Sequence, residues 1–219
     1  MKLGQHFLVN EKIIEKIVSY IDFSIRPLIE IGGGKGNLTR FLNPDIVIEI
    51  DEKLAKFLPN VVIADGRYLP VTRGQIVSSL PYYITYEFFE EVSKINGIRH
   101  LTLILQSDFV EKVKNEPTYI SYLINFYYKI EIKDNIPPWF FSPKPKVYST
   151  IVKLTRIRDY NERVNELLKC VSRYRNKKIS NALKICGGEA KIKDSNKRIR
   201  DFKPWEVKEL LNSMGIDYV

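Results

Sequence analysis

The tetrapeptide Ser79-Leu80-Pro81-Tyr82 follows a short apolar run and combines groups that could bind an aromatic amine. Such an amine is a poor nucleophile, because its lone pair is delocalised into the ring. The Ser79 hydroxyl and the Leu80 carbonyl, turned outward by Pro81, could accept the two amine hydrogens. Tyr82 offers a face on which a flipped-out base could stack. We therefore predict a site that aligns a base amine for group transfer by positioning, without a metal or a covalent intermediate.

A glycine-rich loop, Glu30-Ile31-Gly32-Gly33-Gly34-Lys35-Gly36, directly follows the first predicted strand. The glycines at 32, 34 and 36 let the backbone turn sharply and let a ligand approach it closely. The dinucleotide fingerprint has its third glycine one residue later. Glu30 would repel a pyrophosphate but suits the ammonium group of an amino acid. The loop therefore favours S-adenosylmethionine over a nicotinamide dinucleotide, although a lone glycine loop can also be only a tight turn.

Two further carboxylates end the next two predicted strands. Glu49 could accept both hydroxyls of a ribose, with Asp51 as the second choice, and Asp65 could accept from an adenine amine. Each could also be an ordinary solvated carboxylate at a strand end. Because the carboxyl ends of parallel strands meet at one edge of a sheet, Glu30, Glu49 and Asp65 would form a row there. This row predicts an adenosyl-binding crevice.

The elements that would position these residues form an alternating pattern of apolar runs and helical stretches. The runs lack polar alternation, which is typical of strands covered on both faces in a parallel sheet. They are Leu28–Ile31, Ile46–Ile50, Val61–Ala64, Ile76–Ser79 and Leu101–Gln106. Two later strands, Ile124–Ile132 and Val147–Leu154, are joined without a helix and predict an antiparallel pair at the sheet edge. We expect the aromatic residues 139–141 of the proline-rich loop between them to lie on the surface.

The sequence also contains eight helical candidates. One is an amphipathic segment before the first strand, four lie between the strands and three follow Leu154. They are Glu11–Tyr20, Leu38–Leu42, Glu52–Phe57, Tyr86–Lys94, Asp108–Lys114, Arg163–Tyr174, Ile179–Ile185 and Trp205–Met214. This order predicts an α/β domain over residues 1–155 with a mostly parallel seven-stranded sheet. A small all-helical domain over residues 156–219 follows it.

The positive charge is concentrated in the predicted helical domain. The chain has 35 basic and 26 acidic residues, for a net charge of +9. Residues 1–155 hold 19 basic and 17 acidic residues, whereas residues 156–219 hold 16 and 9. A basic segment on a near-neutral body points to a polyanion, nucleic acid first and a membrane surface second, although a solvated basic face is the alternative on charge alone. Lys177 and Lys178 are our candidates for phosphate contacts.

Composition and cysteine usage exclude several classes. A chain of 219 residues with 44% hydrophobic and 28% charged residues is ordinarily globular. No apolar run approaches the roughly 20 residues of a membrane-spanning helix, and the first six residues hold no apolar signal core, so we expect a cytosolic protein without a membrane partner. Cys170 and Cys186 form no CxxC motif, which argues against a structural zinc site. We expect both as small, buried, reduced thiols.

The glycine loop, the strand-end acids, the tetrapeptide and the later segments given below follow one another in the order typical of a known family. In this respect the chain resembles the ribosomal RNA adenine N6,N6-dimethyltransferases that modify the small subunit. The resemblance covers nearly the whole chain, and its later part includes Phe141-Ser142-Pro143-Lys144-Pro145-Lys146-Val147 and two basic segments. The matching segments are residues 4–8, residues 30–36, Glu49, Asp65, residues 79–82, residues 141–147, residues 173–178 and residues 197–204. The resemblance implies a Rossmann-like class I methyltransferase domain, S-adenosylmethionine as donor, and two adjacent adenines as substrate.

The resemblance also implies roles for individual residues. His6 and Leu8 would close over the methionine part of the donor, and Gly32 would contact the donor through its backbone. We add Gly34 of the same loop as a donor-binding candidate. Glu49 would bind the ribose and Asp65 the adenine. Position 79 would lie beside the methyl group, and Phe141 would help Tyr82 clamp the target base.

Two positions depart from the family pattern, because Ser79 and His6 both stand where asparagine is usual. Serine can still accept one hydrogen bond, so we expect shorter reach rather than lost activity.

Three hypotheses about the function stand. The first is that the protein dimethylates small-subunit rRNA and works as a monomer. Its substrate would be either the free RNA or the RNA within the pre-ribosomal small subunit. The second is a related large-subunit rRNA methyltransferase of the antibiotic-resistance type, and the third is a non-catalytic RNA-binding assembly factor on the same fold.

Overall fold

The computed structural model describes residues 5–188, 196–216 and 218 of the chain. These residues form two compact units, the first from the described part of 1–110 with 129–156, and the second from 111–128 with the described part of 157–219. The first unit thus ends at Arg156, one residue beyond the end of the predicted first domain. Residues 111–128, which the sequence assigned to that domain, group instead with the second unit.

The described residues contain nine β-strands. They are β1 (Phe7–Leu8), β2 (Leu28–Ile31), β3 (Ile46–Glu49), β4 (Val61–Ile63), β5 (Arg73–Ser79), β6 (Gly97–Gln106), β7 (Tyr128–Ile136), β8 (Phe141–Ser142) and β9 (Ser149–Arg156). Seven of them form one sheet in the order β4-β3-β2-β5-β6-β9-β7. Neighbours from β4 to β6 are parallel, and β9 is antiparallel to β6. The predicted mostly parallel seven-stranded sheet is confirmed.

The same residues contain nine α-helices. They are α1 (Glu11–Ser19), α2 (Thr39–Leu42), α3 (Glu52–Ala55), α4 (Thr85–Lys94), α5 (Ser107–Asn115), α6 (Tyr119–Tyr127), α7 (Glu162–Arg173), α8 (Ile179–Ile185) and α9 (Val207–Ser213). Helix α1 begins at an N-cap, where the Asn10 side chain accepts a hydrogen bond from the Ile13 N–H at 3.1 Å. Its Ile14 and Ile17 are fully buried in the core of the first unit, against apolar side chains such as Leu28. No helix among the described residues is both long and apolar enough to cross a membrane.

One predicted strand is wrong in its first part, residues 124–127, and confirmed in its second, residues 128–132. The expected strand Ile124–Ile132 is instead the end of helix α6 followed by β7. Helix α6 begins after Thr118, whose side chain accepts a hydrogen bond from the Ser121 N–H. Seven of its nine residues are buried, so its sequence shows no polar face. Such a short apolar run has no visible period, and a helix and a buried strand cannot be distinguished in it.

The prediction that the apolar run Val61–Ala64 is covered on both faces is also wrong, because β4 exposes part of its side chains. The side chains of Val62 and Ile63 are 41% and 57% exposed. The cause is its position at the edge of the sheet, where it pairs only with β3. Its apolar run was therefore misinterpreted as a buried strand.

The two cysteines are not reduced, contrary to the expectation. Cys170 in α7 and Cys186, the residue after α8, form a disulfide with their Cα atoms 5.9 Å apart. The fold of the second unit brings these residues together, although sixteen positions separate them in sequence. In the same unit the buried Tyr122 hydroxyl donates to the carbonyls of Ile199 and Phe202, at 2.9 and 2.8 Å.

The predicted helix Trp205–Met214 begins as a 3-10 turn, Pro204–Glu206, and continues as α9.

Candidate active site

A single cleft in the first unit lies at the carboxyl ends of β2, β3, β4 and β5. It receives every cofactor and base-binding residue predicted from the sequence of this unit. These are His6, Leu8, Glu30, Gly32, Gly34, Glu49, Asp65, Ser79, Leu80, Pro81, Tyr82 and Phe141. Ligands of open α/β sheets bind at this edge, so the placement agrees with a binding role.

The glycine loop forms one wall of the cleft. Gly34 has a φ of +57°, which a residue with a side chain rarely adopts, and a Cβ there would lie 2.8 Å from the ring of Phe7. Its N–H donates to Oε2 of Glu49 at 2.9 Å. The loop therefore packs against Phe7 of the N-terminal segment and is hydrogen-bonded to the end of β3, and its glycines 32–34 present only backbone to the cleft.

Glu30 is buried at the base of the cleft, with a side chain only 1% exposed. Its Oε2 forms no hydrogen bond with any of the described residues. Burial raises the pKa of this carboxyl to about 7, the nearby Glu49 charge adds to the rise, and the Thr39 hydroxyl opposes it. A buried carboxylate with an unsatisfied oxygen that lines a cleft is suited to a cationic ligand.

Glu49 ends β3 and is held by backbone groups on both oxygens. Oε2 accepts from the Gly34 N–H and Oε1 accepts from the Asp51 N–H, each at 2.9 Å. A carboxylate has about four lone-pair sites, so two remain for ligand hydroxyls. The second choice for that contact, Asp51, uses its own side chain to cap α3 through the Lys53 N–H. Glu49 lines the cleft and Asp51 does not, which favours Glu49 as the candidate for this contact.

Asp65 is paired with Arg67, a residue that the sequence analysis missed. The Arg67 guanidinium donates to both Asp65 oxygens, with its Nη2 2.6 Å from Oδ2. These hydrogen bonds hold the pKa of Asp65 below its usual range. The pair fixes the direction of the carboxylate at the cleft. The Asp-x-Arg spacing is the only sequence signal for this pair, and it is too common to be diagnostic.

The tetrapeptide turns the chain out of the sheet at the cleft. Ser79 is the last residue of β5, Leu80 is 1% exposed, and Pro81 leads into a 3-10 turn, Tyr82–Ile84. Pro81 has no N–H to donate and sets its own φ at −58°. Ser79 and the Tyr82 ring therefore both face the cleft from adjoining positions.

Ser149 holds the Tyr82 ring from behind and was not predicted. It is fully buried at the start of β9, and its Oγ lies 2.7 Å from the Tyr82 hydroxyl. Burial raises the pKa of Tyr82, and the hydrogen bond to Ser149 acts in the opposite direction. The two residues are 67 positions apart, and no local pattern could have joined them.

The N-terminal segment closes one side of the cleft. Strand β1 pairs antiparallel with β8, which places Leu8 opposite Phe141. The His6 Nδ1 lies 2.7 Å from the Pro143 carbonyl oxygen, and the His6 ring stacks near Tyr82 with centroids 6.0 Å apart. Phe141 was expected at the surface but is 5% exposed, because this pairing covers it. The segment and the late loop thus meet beside the predicted base-binding face.

Lys177 and Lys178 belong to the second unit and do not join this cleft. They line a shallow surface of basic and amide side chains in that unit. Its residues are Arg173, Tyr174, Asn176, Lys177, Lys178, Asn181 and Arg198. None of the described residues that line this surface is a carboxylate, which suits a phosphate backbone.

The first unit has the fold of the class I S-adenosylmethionine-dependent methyltransferases. Similar folds include a dimethyladenosine transferase from Plasmodium falciparum, with a TM-score of 0.71, 20% identity and coverage of 98% of this chain and 100% of that one. A second is the 23S rRNA methyltransferase ErmE, with a TM-score of 0.68, 23% identity and coverage of 96% and 100%.

The chain belongs to the ribosomal RNA adenine dimethylase family, whose model matches residues 1–212. A relative in Methanococcus maripaludis, described as a probable ribosomal RNA small subunit methyltransferase A, is 31% identical over 214 residues. That alignment covers 83% of this chain and 79% of the relative.

Proposed function

We propose that this protein transfers methyl groups from S-adenosylmethionine to the N6 amines of two adjacent adenines in small-subunit rRNA. The family and the small-subunit relative support this activity. One observation carries the proposal at the level of residues: the acids Glu30, Glu49 and Asp65 share a cleft with Ser79 and Tyr82. A site for a donor and a site for a base amine are thereby adjacent.

The cleft fits the donor on the chemistry of its own groups. The unsatisfied Oε2 of Glu30 can receive the ammonium group, and the bare backbone at Gly32, where a Cβ would meet only the Pro81 ring at 4.0 Å, leaves room beside it. Glu49 keeps lone pairs for the ribose hydroxyls, and Asp65, held by Arg67, can accept from the adenine amine. When bound, S-adenosylmethionine supplies an electrophilic methyl group on a sulfonium.

The tetrapeptide would hold the target amine against that methyl group. The Ser79 hydroxyl and the Leu80 carbonyl accept the amine hydrogens, which shifts the nitrogen lone pair out of the ring and towards the methyl group. Tyr82 stacks on the base, and its ring direction is fixed by Ser149 at the hydroxyl end. Phe141 closes the other side of the base. No side chain needs to form a covalent intermediate.

The basic surface of the second unit would bind the RNA backbone. Lys177 and Lys178 can neutralise phosphates without reading sequence, so they supply affinity that falls steeply with salt. We further infer that the enzyme works as a monomer in the cytoplasm. Light scattering coupled to size-exclusion chromatography checks the first of these inferences, and fractionation of the source cells checks the second.

The decisive experiment incubates the protein with methyl-labelled S-adenosylmethionine and small ribosomal subunits that lack the modification. Digested RNA is then analysed by mass spectrometry for labelled nucleosides. Dimethyladenosine in small-subunit RNA is the expected product. Label only in large-subunit RNA would replace this proposal by the antibiotic-resistance type of activity. No label in either RNA, with the donor still bound, would favour a non-catalytic assembly factor.

Substitutions at Glu49 and at Ser79 test the residue assignments. Glu49→Ala should abolish donor binding in calorimetry, whereas Glu52→Ala, an exposed acid three residues later, is the matched control and should bind normally. Ser79→Asn restores the usual family residue and should increase the ratio of dimethyladenosine to monomethyladenosine. An unchanged ratio in Ser79→Asn together with full activity in Ser79→Ala would remove position 79 from the site.

A further inference from the structure

The loop between β7 and β9 presents an exposed aromatic surface that the cleft does not use. Trp139 is 59% exposed and Tyr148 is 50% exposed, although both rings are large and apolar. Their centroids lie 6.3 Å apart at an interplanar angle of 78°. We call these two rings, together with Lys144 and Lys146, the Trp139 platform.

The platform carries positive charge with no acidic residue in its loop. Residues 136–149 contain Lys144 and Lys146 and no aspartate or glutamate. The Lys144 Nζ lies 5.9 Å from the centroid of the Trp139 ring. Neither lysine forms an ion pair with a carboxylate in the part of the chain that the structure describes, and both are exposed. Their charges are therefore available to an anionic partner.

The loop is held in place rather than loosely attached. The Phe140 carbonyl accepts from the Val9 N–H at 2.9 Å, and the Phe140 N–H donates to the Pro137 carbonyl at 3.1 Å. At its other end the Tyr148 carbonyl accepts from the Ser107 N–H at 3.0 Å. The exposed rings thus need little ordering when a ligand binds, which favours affinity.

We propose that the Trp139 platform binds an unpaired nucleobase of the RNA strand that enters the cleft. This inference rests on the proposed function, and it names a contact for a nucleotide flanking the target adenine. Exposed aromatic faces beside lysines are how proteins bind single-stranded nucleic acid, because every base offers a π-face and every nucleotide offers a phosphate. A protein ligand would not require both features.

The distance to the cleft sets which nucleotide is bound. Phe141, which lines the cleft, follows Trp139 by two residues, so their Cα atoms are at most about 7 Å apart. A base on Trp139 therefore belongs to a nucleotide close along the strand to a base held against Tyr82. The platform would hold the strand beside the flipped adenine and leave donor binding unaffected.

Tryptophan fluorescence tests the platform directly, because the chain has only two tryptophans, Trp139 and Trp205. In a Trp205→Phe variant, Trp139 is the sole tryptophan, and titration with an eight-nucleotide oligoadenylate should quench its selectively excited emission. An abasic strand of the same length carries the same charge and should quench it much less. Equal quenching by both strands, or none while anisotropy of a labelled oligoadenylate shows binding, would overturn the proposal.

A substitution series gives the magnitude. Trp139→Ala should raise the Kd for oligoadenylate about 5- to 150-fold, and Trp139→Phe should restore much of the affinity. Phe57→Ala is the matched control. Phe57 is an aromatic residue of the same unit and is 84% exposed, but the residues before it carry equal numbers of positive and negative charges. Replacing Lys144 and Lys146 by Gln should reduce the salt slope by about 1.4. Circular dichroism confirms that each variant folds.

The outcomes separate this inference from the proposed function. If wild-type protein methylates small subunits but Trp139→Ala leaves the KM for RNA unchanged, the platform is wrong and the function stands. If methylation fails while oligoadenylate still quenches Trp139, the function is wrong and the platform stands. If Trp139→Ala abolishes association with ribosomal particles but oligoadenylate never quenches Trp139, the surface binds a protein and the inference is overturned.

Discussion

Replacing Glu30 with glutamine should stabilise the protein without ligand at alkaline pH and weaken donor binding. The buried carboxyl has its pKa raised to about 7 from an ordinary value of 4.5, chiefly by desolvation. The folded protein therefore binds more protons than the unfolded chain between these two values. Stability from the protonated form is fully present below pH 4.5 and is lost as the pH rises through 7.

The magnitude follows from the two pKa values of Glu30. A difference of 4.5 to about 7 corresponds to about 3.4 kcal/mol at 1.36 kcal/mol per pKa unit. Between pH 5 and pH 8 the part that is lost is about 2.5 kcal/mol. Glutamine has the same shape and does not ionise, so Glu30→Gln should gain about this much relative to wild type over the same interval.

Urea unfolding at pH 5, 6, 7 and 8 measures this difference, because the contributions of all other titrating groups cancel between the two proteins. Glu52→Gln, an exposed carboxylate on α3, controls for the loss of one charge. A stability difference between Glu30→Gln and wild type that stays constant from pH 5 to pH 8 would refute the reasoning. Donor affinity gives the second readout, and it should fall about tenfold in Glu30→Gln, since the amide provides no charge for the ammonium group.

Three further outcomes are expected. Ser149→Ala should lower kcat about 2- to 10-fold without changing the Kd for S-adenosylmethionine, because a neutral hydrogen bond that orients Tyr82 is lost. The double variant Ser149→Ala/Tyr82→Phe should lose no more activity than Tyr82→Phe alone. Additive losses would contradict the positioning role of Ser149. Alanine at both Lys177 and Lys178 should weaken RNA binding and flatten its salt slope by about 1.4 to 1.8, whereas a change in donor affinity would contradict their assignment to the RNA surface. Tyr122→Phe should lower the free energy of unfolding by about 1–3 kcal/mol in urea, because two carbonyls lose their donor, and an unchanged midpoint would show that these bonds do not contribute.

Local sequence determined much of the framework and the positions of the cleft residues. The strands β2 and β3 and the helix α8 have short-range signals, namely an unbroken apolar run or helical spacing, and their predicted and observed bounds agree to within one residue. The glycine loop and the tetrapeptide were identifiable for the same reason, since their chemistry is contained in a few consecutive residues. Parallel strands then bring their carboxyl ends to one edge, so the row of acids could be predicted without coordinates.

Tertiary structure alone decided the contacts that join distant residues. Helix α6 is buried on nearly every side, so its neighbours rather than its own period made it a helix. The pairing of Cys170 with Cys186, and of Tyr82 with Ser149, depends on how separate elements pack. The burial that raises the pKa of Glu30 is likewise a property of the folded core. A sequence specifies which groups are present, but desolvation and long-range pairing exist only after the chain has excluded water around them.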